Sequence, residues 1–207
     1  SMHAKKYLLK YVDDRKLKYL PNFTITKKQP QKKIRLNNFI LAIGRLEYQK
    51  GFDLLINDFT KISQKKSDLK LVILGEGSQL NNLKKLVPKS NKNIIFAGNQ
   101  DSVAYFNSCK VFVLSSRFEG TPNVLIEAMS FEKPIIIYKN SIGISEYVRD
   151  MKEAIILDQN PVMNTLDKAL IFIRENNKEI KKISMNAKKK FLELNNEEIF
   201  RSWLKIL

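Results

Sequence analysis

Val111-Phe112-Val113-Leu114, followed by Glu119-Gly120-Thr121-Pro122-Asn123-Val124-Leu125-Ile126-Glu127-Ala128-Met129, is the stretch that decides the fold. Four consecutive apolar residues read as a strand buried on both faces. Thr121 suits an N-cap, and Pro122 suits the first helical position, where its missing N–H removes nothing the helix uses. Apolar residues then recur at Val124, Leu125, Ala128 and Met129, one face of a helix that stops before Pro134. A buried strand running into a helix is the repeating unit of a parallel sheet. Glu119 falls in the connecting loop and Glu127 in the first turns of the helix. In an open α/β sheet, ligands bind outside the carboxyl ends of the strands, so these acids are placed to face one from two levels.

The alternation extends in both directions. Phe39–Ile43 reads as a strand ending at Gly44, Leu69–Leu74 as a strand ending at Gly75, and Asn93–Phe96 as a strand ending at Ala97-Gly98. Between them, Phe52, Leu55, Ile56, Phe59 and Ile62 form one helical face. Leu80, Leu83 and Leu86 mark a helix that Pro88 ends, and Asp101 can cap a helix through Tyr105 and Phe106. After the decisive stretch come a strand over Pro134–Tyr138, a short helix near Glu146, a strand over Ala154–Leu157 and a helical tail from Val162 that ends with Phe200, Trp203 and Leu204. The fold class is therefore α/β, a parallel sheet with helices on both faces. Residues 5–19 have Tyr7, Leu8, Tyr11 and Val12 at helical spacing, and Pro21 opens an extended polar stretch to about Asn38 that reads as a linker.

Composition narrows the function. The chain has 207 residues, 43% of them hydrophobic, enough for one sizeable core burying roughly 70% of the unfolded surface. No apolar run reaches transmembrane length and no signal peptide is visible. The single cysteine, Cys109, excludes an internal disulfide framework and fits a reducing cytoplasm. His3 is the only histidine, which argues against a histidine metal site or a catalytic triad. Ser1-Met2 reads as a cloning remnant, so the natural protein is expected to begin further upstream. The net charge is +16. The lysines are dispersed, with clusters such as Lys27-Lys28, Lys32-Lys33, Lys65-Lys66, Lys84-Lys85 and Lys188-Lys189-Lys190, and few aromatics interleave with them. A solvated surface is the first reading, an anionic membrane surface the second, and nucleic acid is not expected as a partner.

Two further elements gather at strand ends. Gly44-Arg45-Leu46 follows the first strand and Lys50-Gly51 opens the next helix, so Arg45 and Lys50 can converge on one anion across the loop. Arg would grip phosphate oxygens through its fork and Lys would act as a point charge. The free N–H groups of the helix after Thr121 attract anions by roughly 0.3–2 kcal/mol. Carboxylates beside an anion site would take hydroxyls, so Glu119 and Glu127 would bind sugar or ribose. On spacing alone, solvated surface acids remain the better reading, because charged residues are mostly exposed. Gly75-Glu76-Gly77-Ser78-Gln79-Leu80 lacks the third glycine of a dinucleotide fingerprint and reads as a tight turn lining the ligand cleft.

Taken in order, Gly44-Arg45-Leu46 with Lys50-Gly51, Leu71–Gly77, Ile95-Phe96-Ala97-Gly98 and Glu119–Met129 resemble the C-terminal, donor-binding domain of the family 4 retaining glycosyltransferases of GT-B fold. Tyr19-Leu20-Pro21-Asn22 is similar to that family's interdomain linker. The resemblance implies a Rossmann-like nucleotide-sugar-binding domain over 38–207, preceded over 1–37 by a remnant of the acceptor domain and the linker. It further implies Arg45 and Lys50 on the donor diphosphate, with Glu127 on the nucleotide ribose and Glu119 at the donor sugar. Arg45, Lys50 and Glu119 become the catalytic group. Gly44, Gly75, Gly120 and the backbone of Thr121, Pro122 and Asn123 would line the phosphate and sugar pocket, and Gly98 the base pocket. A UDP- or GDP-sugar is implied as substrate, with no tightly bound cofactor and no metal. A glycan or lipid-linked acceptor would be held by the missing N-terminal domain. The implied location is cytoplasmic, peripheral at the inner membrane face, and the Thr-Pro-Asn form of the loop resembles members acting on surface polysaccharides with N-acetylated sugars. Where many members carry Gly-Gly-x-Pro-Glu, this chain departs, with Ile142-Gly143-Ile144-Ser145-Glu146.

Overall fold

The computed structural model describes residues 2–17, 34–64, 68–138, 142–157, 162, 164–194 and 197–204. Six strands, β1 (Phe39–Ile43), β2 (Lys70–Leu74), β3 (Ile94–Gly98), β4 (Val111–Leu114), β5 (Ile135–Ile137) and β6 (Ile155–Ile156), form one sheet in the order β3-β2-β1-β4-β5-β6. Every pairing is parallel. The order runs outward from β1 in one direction and from β4 in the other, so the chain reverses its winding between these two strands. That reversal opens a crevice at their carboxyl ends.

Period-two alternation distributes the strand side chains to two cores. Ile40, Ala42, Leu71, Ile73, Val111 and Val113 pack with α2 (Phe52–Ser63), through Leu55, Ile56 and Phe59, and with Leu166 and Ala169 of α7 (Leu166–Glu175). Phe39, Leu41, Val72, Leu74, Phe112 and Leu114 face the other way. They meet Phe106 of α4 (Ser102–Ser108) and Leu125, Ile126 and Met129 of α5 (Asn123–Ser130). The long helix α8 (Asn177–Leu194) serves both cores, Ile180 and Ile183 entering the first and Ala187 and Phe191 the second. Helices α3 (Leu80–Leu86), α6 (Ile142–Ser145) and α9 (Glu197–Leu204) complete the connections and the tail. The sequence periods place these elements within a few residues of their observed bounds, because strands buried on both faces and helices with one apolar stripe leave little choice.

Two expectations change. The helix expected over residues 5–19 is shorter: α1 covers Met2–Leu8 and a separate 3₁₀ turn covers Asp14–Lys16. Asp13 starts that turn by accepting from the Arg15 N–H at 2.9 Å, a local bond that competes with helix continuation. The second change concerns α5, which begins at Asn123 with Pro122 as its flanking residue and no side-chain cap. Thr121 is not the cap because the helix begins two residues after it, which puts Pro122 in the flanking position. The stretch Tyr19-Leu20-Pro21-Asn22 lies outside the described residues, whereas Ile34 and Leu36 already pack against the second core.

Cys109 is buried and burial pushes its thiol up to about 12, as suits a core residue rather than a nucleophile. Phe112 is fully buried at the centre of the second core, its ring 5.5 Å from that of Phe106. Phe112→Ala is expected to lower the unfolding free energy by about 3–5 kcal/mol. The check is a fall in the urea midpoint with an unchanged slope.

Candidate functional site

The residues picked out at strand ends come together along the carboxyl edge of the sheet. Gly44 donates to the Leu74 carbonyl at 3.0 Å, and Gly75 donates to the carbonyl of Gly98, the last residue of β3, at 2.8 Å. Three neighbouring strands therefore end level with one another. The loop after β1 is tied to the loop after β2 by Leu46 N–H to the Glu76 carbonyl at 2.8 Å. Glu47 accepts from the Ser78 N–H at 2.9 Å and from its hydroxyl at 2.7 Å. Those two bonds hold the Glu47 carboxyl below its usual range.

The loop after β1 also meets the loop after β4 across the crevice. Gly51 takes a left-handed turn (φ 63°) hard against Ser115, where a Cβ would lie 2.1 Å from the Ser115 carbonyl oxygen. The Ser115 hydroxyl donates to the Lys50 carbonyl at 2.9 Å, and the Arg117 N–H donates to the Gln49 carbonyl at 2.8 Å. This close backbone contact sets Lys50 and Glu119, 69 positions apart in sequence, against each other. The Lys50 Nζ lies 2.6 Å from Glu119 Oε1, with only 16% and 4% of the two side chains exposed. The Ser116 hydroxyl donates to the same oxygen at 2.6 Å. Removing one partner of a buried pair leaves the other charge uncompensated, so each of these two groups depends on the other.

Gly143 of α6 supports the far side of the acidic loop. A Cβ there would lie 2.2 Å from the Glu119 carbonyl oxygen and 2.5 Å from that of Gly120. The Ile142–Ser145 departure thus forms a backbone-to-backbone contact with the loop, and Tyr147 just beyond it takes the Thr121 side chain. Gly120 itself has open space around its Cα. Glu127 lies on the second turn of α5, where its Oε1 accepts from the Ser102 hydroxyl at 2.5 Å. Burial raises its carboxyl above the ordinary value of 4.5, the Ser102 bond opposes that shift, and the neighbouring Asp101 adds to it.

Of the predicted site residues, Gly44, Gly75, Lys50, Glu119, Gly120, Thr121, Pro122, Asn123 and Glu127 lie on the loops and helix at this edge, and Gly98 ends β3 beside them. Arg45 is there too, exposed on the loop after β1, while Lys50 pairs with Glu119. Sequence reasoning passed over Ser116, Arg117, Asp53, Ser102 and Tyr147. A polar Ser-Ser-Arg run straight after an apolar strand was the available signal for the first two. The others act across chain separations of 25 residues or more and gave none. Among the described residues, no group of three or more His, Cys, Asp or Glu side chains is placed to hold a metal ion, and no helix is long and apolar enough to cross a membrane.

A doubly wound parallel sheet with its charged groups at the strand-order reversal is a Rossmann-like domain. The chain belongs to the family described as glycosyl transferases group 1, whose model matches residues 24–190. It is 31% identical over 177 residues to an uncharacterized glycosyltransferase of Haemophilus influenzae, covering 83% of this chain and 49% of that one. It is 30% identical over 174 residues to the N-acetylgalactosamine-N,N'-diacetylbacillosaminyl-diphospho-undecaprenol 4-alpha-N-acetylgalactosaminyltransferase of Campylobacter jejuni, covering 83% and 47%. Among solved structures, a mutant of S. aureus TarM in complex with fondaparinux, alpha-GlcNAc-glycerol and UDP is similar, with TM-score 0.81 and 22% identity over 99% of this chain and 42% of that one. At that identity the likeness carries the fold, that of the GT-B glycosyltransferases. The chain spans about half the length of the curated relatives it matches.

A carboxyl whose pKa is raised in the fold contributes stability that is fully present below its unfolded value and lost as pH rises through the folded value. Glu127 is such a group. Glu127→Gln keeps an oxygen for Ser102 and removes the charge. It is expected to melt at a higher temperature than the wild type at neutral pH, with the difference closing as the pH falls towards 4.5 and gone below it. Thermal melts of both proteins across the acid range check this, and a gap that widens on acidification contradicts it.

Proposed function

We propose that this chain is the nucleotide-sugar-binding half of a retaining glycosyltransferase. It takes a UDP- or GDP-sugar and serves transfer of a hexosyl or N-acetylhexosaminyl group to a glycan or lipid-linked acceptor in cell-surface polysaccharide synthesis. The observation that carries this reading is the buried Lys50–Glu119 contact in the crevice at the strand-order reversal, beside the uncapped start of α5. The acceptor class is supported by the diphospho-undecaprenol in the name of the Campylobacter jejuni relative, and the donor class by the UDP in the TarM complex. Residues 1–37 are assigned to the acceptor domain's remnant and the linker, and 38–207 to the donor domain. The assigned location is cytoplasmic, at the inner membrane face, with an anionic lipid surface as a partner.

The geometry suits the chemistry. Breaking the bond between sugar and diphosphate places negative charge on the leaving group. Lys50 has three N–H donors and Glu119 accepts one of them, so the ammonium can hold the acid and still reach a phosphate oxygen. Arg45, five residues before Lys50 on the same loop after β1, adds a second cation, and the first N–H groups of α5 add partial positive charge. Glu119, fixed from one side by Lys50 and Ser116, accepts from donor hydroxyls and orients the sugar rather than moving a proton. Glu127, steadied by Ser102, accepts from the ribose hydroxyls.

Calorimetry with UDP and with GDP tests the assignment. The wild type is expected to bind at least one of them at a single site. Glu127→Ala and Arg45→Ala are each expected to weaken that binding about tenfold to a hundredfold, the worth of a hydrogen bond to a charged group, about 1.5–3 kcal/mol. No binding by the wild type, or equal affinity in both variants, would sink the reading. Sugar transfer by the 207-residue chain alone is expected to stay near background, and robust turnover would contradict its assignment as half a site.

A further inference from the structure

We propose that Arg117 is a positioning residue of this site: its guanidinium clamps the turn Tyr48–Asp53 to the loop after β4 and thereby holds the Lys50 ammonium on Glu119. The consequence for nucleotide binding rests on the donor-site reading above; the clamp itself is a feature of the free protein.

The clamp has three points of attachment. Arg117 Nη1 donates to the Tyr48 carbonyl at 2.8 Å and to Asp53 Oδ1 at 2.8 Å, and Nη2 donates to Asp53 Oδ2 at 2.6 Å. The guanidinium also lies 4.0 Å from the centroid of the Tyr48 ring. The Arg117 side chain is 20% exposed, so these bonds are partly shielded from water. They hold the Asp53 carboxyl below its usual range and raise Arg117 above its own. A planar fork fixes direction as well as distance, which the point charge of a lysine does not.

The position of the clamp gives it a role in the site. Tyr48 and Asp53 stand on either side of Lys50 in the chain, and Arg117 stands two residues before Glu119. One side chain thus ties together the two short segments that carry the ion pair. Two further bonds run the same way, from the Arg117 backbone N–H to the Gln49 carbonyl at 2.8 Å and from the Gln49 side-chain Nε2 to the Phe118 carbonyl at 3.0 Å. These fix the line of contact between the loops. Arg117 alone among them also reaches α2, through Asp53, and so bridges the left-handed turn at Gly51 that directs Lys50 inward. A lysine on a freely moving turn would sample many positions, whereas one held on both sides is restricted to its own four-carbon stem.

Lysine ammonium NMR reads the clamp without a ligand. In nitrogen-15-labelled wild type, Lys50 on buried Glu119 is expected to give a proton–nitrogen cross-peak that Lys50→Met removes. Arg117→Met and Asp53→Asn are each expected to lose that peak while keeping a dispersed backbone spectrum and a cooperative melt, and Arg117→Lys is expected not to restore it. A peak retained in folded Arg117→Met overturns the proposal. Should that variant fail to fold, Asp53→Asn decides the question by the same peak. Binding gives a second reading with the nucleotide that the wild type takes. Arg117→Met is expected to weaken it about tenfold, the size of a coupling between contacting residues, yet to add nothing in the Lys50→Met background. Additive losses in the double variant overturn the idea that Arg117 acts through Lys50. A wild type that binds neither UDP nor GDP removes the donor reading, and the Lys50 cross-peak still decides the role of Arg117.

Discussion

The carboxyl edge of this sheet depends on one close approach, that of the Gly51 backbone to the Ser115 carbonyl. A side chain at position 51 would collide with that oxygen, and the left-handed turn there costs an L-residue energy that glycine avoids. Because the two loops touch, Lys50 and Glu119 meet beneath them, Ser115 bonds back to Lys50, and Arg117 reaches both Tyr48 and Asp53. Separated by even a few ångströms, the same residues would be a surface lysine, a loop acid and a solvated arginine of the kind a lysine-rich chain has in plenty.

Burial gives the contact its meaning. A lysine and a glutamate in water interact weakly and are screened by salt. Here the acid is almost wholly enclosed and accepts from Ser116 as well, so its charge is held in place before any ligand arrives. Pre-arranged charge of this kind is what a reaction that builds up charge requires, since nothing has to reorganise at the moment of bond breaking. Glu127 presents the contrasting case. Its side-chain partner is the Ser102 hydroxyl rather than a lysine, and its carboxyl is pushed up by burial. The two acids that look equivalent in sequence therefore occupy different electrostatic environments.

Much of this was legible in the sequence. The runs at Phe39–Ile43 and Val111–Leu114 could only be buried strands, Phe52, Leu55, Ile56, Phe59 and Ile62 could only be one face of a helix, and Asp101 does cap α4. Those signals are local: they depend on period, capping and glycine or proline placement within a dozen residues. The errors were local as well. Thr121 fits the cap pattern by residue type, but the helix begins two residues after it, at Asn123, with Pro122 in the flanking position. The expected helix over residues 5–19 gives way to a 3₁₀ turn because Asp13 bonds the Arg15 N–H.

The sequence by itself determined that strands and helices alternate, that glycines end three strands, and that Arg45, Lys50, Glu119 and Glu127 stand at strand-to-helix turns, because these follow from spacing and residue type alone. Only the tertiary structure decided which turns face each other. The strand order places β1 beside β4, and this adjacency converts a separation of 69 residues into 2.6 Å between Lys50 and Glu119. It also enlists Arg117, Ser116 and Gly143, whose parts arise from close approaches across the crevice. Hydrophobic periodicity specifies the faces an element buries, whereas the order of strands in a sheet is set by how all those faces pack together at once, and no local pattern encodes that.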